Sequence, residues 1–420
     1  MTAGAGEPAR GAGARLLGHV AAIVLIQSTY QSIFFMLAIL AKKRFGANDW
    51  EVLIITSAQS VLAISSIFWN DLLRRASLER YLAAYWGCTF LPLALAALFD
   101  SFWPLAAAAV LAAIGGGGWS PVTGLLLKRF YRDGAHGRIY SVLSATQLAG
   151  SVALTWVVGE LLRWDSASFR VFLPVAALAQ MAGCVLLLAL ARRSGLRGRP
   201  ETAEEPDATL RERVIEPILH MRRILAADRI FYRYEAAFMT YGIGWMVCAA
   251  LIPALVTDRL GLAYDRIAES TQVVTHAVML LLTVPCGWIL DRLGPTRTSG
   301  LFFLIYAAYP LMLVFTHDDT QLKAASAIYG LAAAGVNLGW MLGPVALAPT
   351  RAQVPQYVAI HTTLVGLRGA LFQFLGVMLY KLTGSLTVPL LVAAAGFLWG
   401  AWQMRELDRR MRAPAGPAPA

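Results

Sequence analysis

Stretches of about 20 mostly apolar residues recur along the chain with only short polar breaks, and about 20 is the length at which a helix crosses the hydrocarbon core of a bilayer. In lipid every backbone N–H and C=O must be satisfied within the segment, so such runs are read as helices. Composition agrees: 58% of the 420 residues are hydrophobic and only 15% charged, too little charge to cover a soluble protein of this length. The chain is read as an all-α membrane protein. It has twelve candidate spans, near 16–40, 50–70, 82–99, 102–128, 138–163, 169–193, 230–258, 264–290, 301–317, 322–347, 356–380 and 383–404.

The polar stretches order these spans. A short tail (1–15) precedes the first span, which is too long for a signal-peptide core and is read as retained. The segment 194–229 is charged, holds three prolines, and separates residues 16–193 from 230–404; its second half, Ala208 to Ala226, is expected to lie as a surface helix. A tail, 405–420, closes the chain. With twelve spans the termini share a side, and that side carries 26 of the Lys and Arg residues against nine opposite. The bias places both tails and the central segment in the cytoplasm. It also accounts for the net charge of +11 without nucleic acid. Lys42, Lys43 and Arg44 depart from it on the outer side, either as anchors or as a lure for anions. The four cysteines lie inside apolar runs without metal or redox spacing, and no metal or cofactor is expected.

The six-plus-six layout suggests an internal repeat. Asp71 follows span two and Asp291 follows span eight, 220 residues apart, each before basic residues. Around the second lies "GWILDRLGPTR", Gly287 to Arg297, which resembles the G-x-x-x-D-R-x-G-R-[RK] loop of the major facilitator superfamily. The resemblance covers nearly the whole chain. It implies two six-helix bundles around a central cavity, alternating access, and a cytoplasmic latch, for which the matching residues are Gly287, Asp291, Arg292, Gly294 and Arg297. The first copy keeps Asp71 but has Ile67 where the glycine stands.

The same resemblance makes spans one, four, seven and ten line the cavity. Span one offers Gln27, Tyr30 and Gln31 on one face. In span four, Gly115 to Gly118 and Pro121 predict a pliable or closely packed segment, with Trp119 as a possible wall. Span seven offers Tyr241 and Trp245, while its Arg233 and Glu235, near the cytoplasmic end, read as a gate or surface ion pair. Span ten places Tyr329, Asn337, Met341 and Pro344 on one face, with Asn337 bonding either substrate or a neighbouring helix. Span five has a polar stripe, from which Gln147 is the cavity candidate. Span eight aligns Glu269, Gln272 and His276, where a carboxyl and an imidazole on one face can carry protons.

Span eleven holds Arg368 near the midplane and His361 seven residues before it, on one face. An arginine keeps its charge, and facing lipid at that depth costs at least about 2.5–3.5 kcal/mol. It must face protein, where its partner is an anionic group of the substrate, a backbone carbonyl or an amide such as Asn337, or a distant carboxylate. His361 joins Glu269 and His276 as a proton-coupling candidate.

These residues point to a secondary active transporter of a small organic solute, anionic or polar. There is no phosphate-binding G-x-x-x-x-G-K-[ST] loop, so the driving force is an ion gradient, with protons preferred. An exporter of amphipathic compounds is the alternative, and a transport-inactive receptor or scaffold on the same fold is a reading of another class. A nucleophile or His/Asp cluster at a membrane surface is missing, so no enzyme is expected. The expected partners are a small-molecule substrate and the lipid bilayer, and the chain is expected to act as a monomer. Only five lysines among 36 basic residues suggest a high-GC bacterium and its inner membrane.

Overall fold

A computed structural model describes residues 9–131, 136–195, 221–350 and 353–412. Among them all regular structure is helical. By contacts the chain divides into two compact units, Met1–Thr202 with Ala263–His276, and Ala203–Leu262 with Ala277–Ala420.

In the first unit α1 runs from Ala9–Ile23 through Val24–Ser28 into Thr29–Phe45. α2 comprises Asp49–Leu62 and Ser66–Arg75, α3 Leu78–Thr89 and Leu91–Ala96, and α4 Phe102–Gly116 and Trp119–Phe130. α5 is His136–Trp164 and α6 Phe169–Arg193. Then follow α7 (Arg229–Ala254, prolonged by Leu255–Arg259), α8 (264–293) and α9 (295–314), α10 (Asp319–Leu347), α11 (Val354–Thr383) and α12 (Thr387–Arg412).

Among the described residues, nine helical stretches are long and apolar enough to cross a membrane. The difference from the expected spans has local causes. α2 tightens at Ala63–Ser65, where the Ser65 hydroxyl donates to the Ile114 carbonyl at 2.9 Å. α3 is interrupted at Phe90, two residues before Pro92, whose ring disfavours continuing the helix. α8 and α9 count as one stretch because only Gly294 separates them, at φ 77° and ψ 168°, a conformation that favours glycine.

In the first unit, small and polar side chains bring the helices together. Ser28 and Ser32 on α1 donate to the Gln147 and Ser151 carbonyls of α5 at 2.8 and 3.0 Å. A Cβ on Gly150 would stand 2.5 Å from Ser28 Oγ, so the seam closes only over glycine. The four glycines of α4 give both outcomes expected of them: the helix is broken between Gly116 and Trp119, and Gly115, Gly117 and Gly118 pack tightly on Thr89, Ser65 and Trp69. At the far end of α1, Lys42 pairs with Asp49, Lys43 lies 5.2 Å from the Tyr264 ring, and Arg44 donates to Asp100 at 2.8 Å and Ser166 at 2.7 Å. All three cations are engaged by neighbouring side chains.

In the second unit α7 is the central helix. A Cβ on Gly396 of α12 would stand 3.1 Å from the Gly244 nitrogen, and one on Gly400 would stand 3.1 Å from the Tyr241 nitrogen. α7 and α12 therefore touch backbone to backbone. Phe238, Phe302, Phe303, Tyr306 and Phe397 fill the core around this contact. The described end of the central segment packs Met221, Ile224 and Leu225 on Phe231, Tyr357 and Ile360. Most of the surface helix expected there, and the tails 1–8 and 413–420, lie outside the described residues.

Candidate functional site

Along α7, Glu235, Phe238, Tyr241, Gly242 and Trp245 recur at helical spacing and share a face. That face meets Tyr357, His361 and Arg368 of α11. The seam is a ladder of polar contacts. Tyr357 donates its hydroxyl to Asp228 Oδ2 at 2.8 Å. His361 Nδ1 lies 2.8 and 2.9 Å from the two Glu235 oxygens. Arg368 Nη1 donates to the Phe238 carbonyl at 2.8 Å.

Glu235 and His361 are each 2% exposed and Arg368 is 3% exposed. Arg368 lies midway along α11. Its stem passes over Gly242, where a Cβ would stand 2.3 Å from Cδ. The missing side chain thus gives the guanidinium access to a carbonyl of α7, which has a second lone pair to offer. The Tyr241 and Trp245 rings lie 5.5 and 5.7 Å from Arg368 Cζ, within cation–π range. Trp245 is held in place by donating Nε1 to the Tyr329 hydroxyl of α10 at 2.5 Å. Arg368 Nε is buried with no hydrogen-bond partner.

The His361 ring sits among Phe238, Trp340 and Tyr234, at centroid distances of 5.0, 5.3 and 6.4 Å. Its Nε2 is also buried without a partner. Since an ionised carboxylate only accepts, Nδ1 carries the proton facing Glu235 in that state, and Nε2 is where a further proton would be held. The seam thus holds one fixed positive charge, one carboxyl and one imidazole.

Glu235, expected as a gate or surface ion pair, is a buried partner of His361, because the α7 face it occupies turns toward α11. Of the three partners considered for Arg368, the backbone carbonyl is the one in place, joined by two aromatic rings. Asn337 is exposed, and its amide points to Met279 Sδ at 3.6 Å. In the first unit Gln27 donates to the Tyr85 hydroxyl at 2.9 Å and Tyr30 to the Ala112 carbonyl at 3.2 Å, both buried. Gln31 is exposed, the Gln147 side chain is half-buried, and Trp119 packs near Tyr85. Glu269 lies 3.3 Å from Arg266, and His276 is half-buried with Nδ1 lacking a hydrogen bond.

In the α8–α9 loop Asp291 and Arg292 are exposed. Gly287, expected to allow close packing, has open space where a Cβ would stand, with no described residue within 4 Å. Arg297 makes an ion pair next to this loop, Nε to Asp408 Oδ2 of α12 at 2.7 Å. The side chain of Asp71 lies outside the described residues. Sequence reasoning missed Glu235 and Asp408 as partners. The seven-residue spacings Asp228–Glu235 and His361–Arg368 were the signal available for the first.

The family model described as Major Facilitator Superfamily matches residues 20–275. No curated protein matches the chain. Among solved structures, a POT family transporter in complex with 5-aminolevulinic acid aligns with TM-score 0.78 at 13% identity, covering 96% of this chain and 97% of that one. The nucleoside transporter NupG gives 0.71 at 13% identity over 94% and 99%, and a bacterial homolog of the human lysosomal transporter Spinster gives 0.65 at 14% over 98% and 100%. At these identities the likeness establishes the fold. Family and fold are those of multi-pass membrane transporters of small molecules.

Proposed function

The chain belongs to the major facilitator superfamily, and from that premise we propose that it is a proton-coupled secondary transporter of a small organic anion, with Arg368 as the anion receptor and Glu235 with His361 as the proton site. The observation that carries the reading is a permanent charge buried halfway along α11 against a carbonyl and two rings, with Nε unpartnered and a buried carboxyl–imidazole pair two turns away along the same seam. Leaving such a cation incompletely paired costs free energy, which an incoming anion offsets.

Coupling follows from charge. With Glu235 ionised and His361 neutral, the cluster of Arg368, Glu235 and His361 sums to zero. One proton on either group makes it +1 and favours a monoanion, and the bound anion favours the proton in return. Proton and anion thus load together and move in one direction as an electroneutral pair. His361 serves this role better than Glu269, whose partner Arg266 is exposed beside it, or His276, whose Nδ1 has no hydrogen-bond partner among the described residues.

In this reading α1–α12 are twelve crossings, and both termini and the 194–229 segment face the cytoplasm, as the Lys and Arg bias requires. The setting is the inner membrane of a bacterium, and the monomer is the transporting unit. The test is uptake of a labelled panel of organic carboxylates and sulfonates into proteoliposomes. Arg368→Gln is expected to lower uptake by at least about 30-fold, the scale of truncating a buried charged partner, while the variant stays monodisperse. Near-normal uptake by that variant contradicts the reading.

A further inference from the structure

Aromatic rings lie against both buried groups of α11, the Arg368 guanidinium and the His361 ring that pairs with Glu235. Arg368 lies between Tyr241 and Trp245. His361 lies against Phe238 and Trp340. Tyr241 has its other neighbours in place already, stacked on Phe303 at 4.3 Å. Trp245 and Trp340 differ, because each remains partly exposed while reaching a buried polar side chain. Trp245 is also rigid: its indole N–H is fixed on Tyr329, and it stands where α7, α10 and α11 meet.

A ligand whose anionic group reaches Arg368 from the exposed side of Trp245 therefore lies against that indole ring. A small, strongly hydrated anion would give up its water there for apolar contacts, at a large cost. An anion attached to a flat apolar group keeps its charge on the guanidinium and covers the rings with its own surface, gaining stacking and apolar burial. Resting on the anion-receptor reading above, we propose that the transported anions are arene or similarly planar carboxylates and sulfonates, and that Trp245 is the residue that selects them. Inorganic phosphate, sulfate and short aliphatic acids are poor ligands of this site.

The test is equilibrium binding to the purified full-length protein of two matched labelled pairs, 3-phenylpropionate against butyrate and benzenesulfonate against methanesulfonate. In the wild type the arene member of each pair binds at least tenfold more tightly. Trp245→Ala lowers arene affinity by about 3- to 10-fold, the range of one aromatic contact. It lowers aliphatic affinity by a smaller factor, so that the arene preference shrinks, and Trp245→Phe restores most of the loss. Arg368→Gln abolishes binding of both arene probes. If arene and aliphatic anions bind equally, and both depend on Arg368, the aromatic selection is wrong while the anion receptor stands. If no probe shows Arg368-dependent binding, the anion receptor fails and the selection with it. A Trp245→Ala variant that binds arenes as the wild type does also overturns the assignment, provided that its thermal transition shows it is folded.

Discussion

His361 Nδ1 and Glu235 Oε2 stand 2.8 Å apart, bridging α11 and α7 in surroundings that leave each residue 2% exposed. Either residue alone would be an uncompensated polar group in the core of the second unit.

His361→Ala should therefore destabilise the protein by about 3–5 kcal/mol, the cost of breaking a buried pair by removing one partner. Denaturant titration in detergent measures it. A loss below about 1 kcal/mol would place the pair in contact with water, against the burial seen.

Gly242→Ala should disturb Arg368 without altering its charge, since the new Cβ would stand 2.3 Å from Arg368 Cδ. Overpacking of this kind costs about 1–3 kcal/mol. The expected signature is weaker substrate affinity at normal expression, read as a raised KM for uptake. An unchanged KM means that Arg368 does not depend on the Gly242 slot.

The sequence left the seam between α7 and α11 half legible. Arg368 and His361 were readable as inward-facing because a charge at that depth has few places to go. Their partners were not, because Phe238 offers a backbone carbonyl, which no side-chain pattern reports, and because Glu235 looks like a surface residue from its distance to the helix end. Gln27 and Tyr30 show the opposite limit: a polar face on α1 announces that it avoids lipid but not whether it meets substrate or Tyr85. The interruptions in α2 and α3 depended on Ser65 reaching α4 and on Pro92, and only the second is a sequence signal.

Arg297→Gln should change stability by less than about 1 kcal/mol, since the pair with Asp408 is partly solvated. If the α8–α9 loop is a latch, the same variant slows turnover severalfold. Stopped-flow uptake set against a thermal scan separates the two, and wild-type turnover would reduce Arg297–Asp408 to a surface contact.

Asp100 lies beside Arg44, whose hydrogen bond, with the nearby Arg170, holds the carboxyl below its usual range. A depressed folded pKa stabilises the protein above the unfolded value, near 3.9, and that contribution is lost as pH falls through the folded one. Thermal transitions from about pH 6 down to pH 3 should fall less steeply for Asp100→Asn than for the wild type. Parallel profiles would mean that the Arg44–Asp100–Arg170 cluster contributes nothing in solution.

The central claim is that one site in the second unit binds anion and proton together. The most direct measurement compares wild type and Glu235→Gln in proteoliposomes, using an organic anion whose uptake depends on Arg368, under two regimes: accumulation driven by a pH gradient, and exchange of labelled for unlabelled substrate at equal pH. Glu235→Gln is expected to lose gradient-driven accumulation and keep exchange, because the anion receptor survives while the proton site does not. Accumulation by Glu235→Gln at the wild-type level would contradict it.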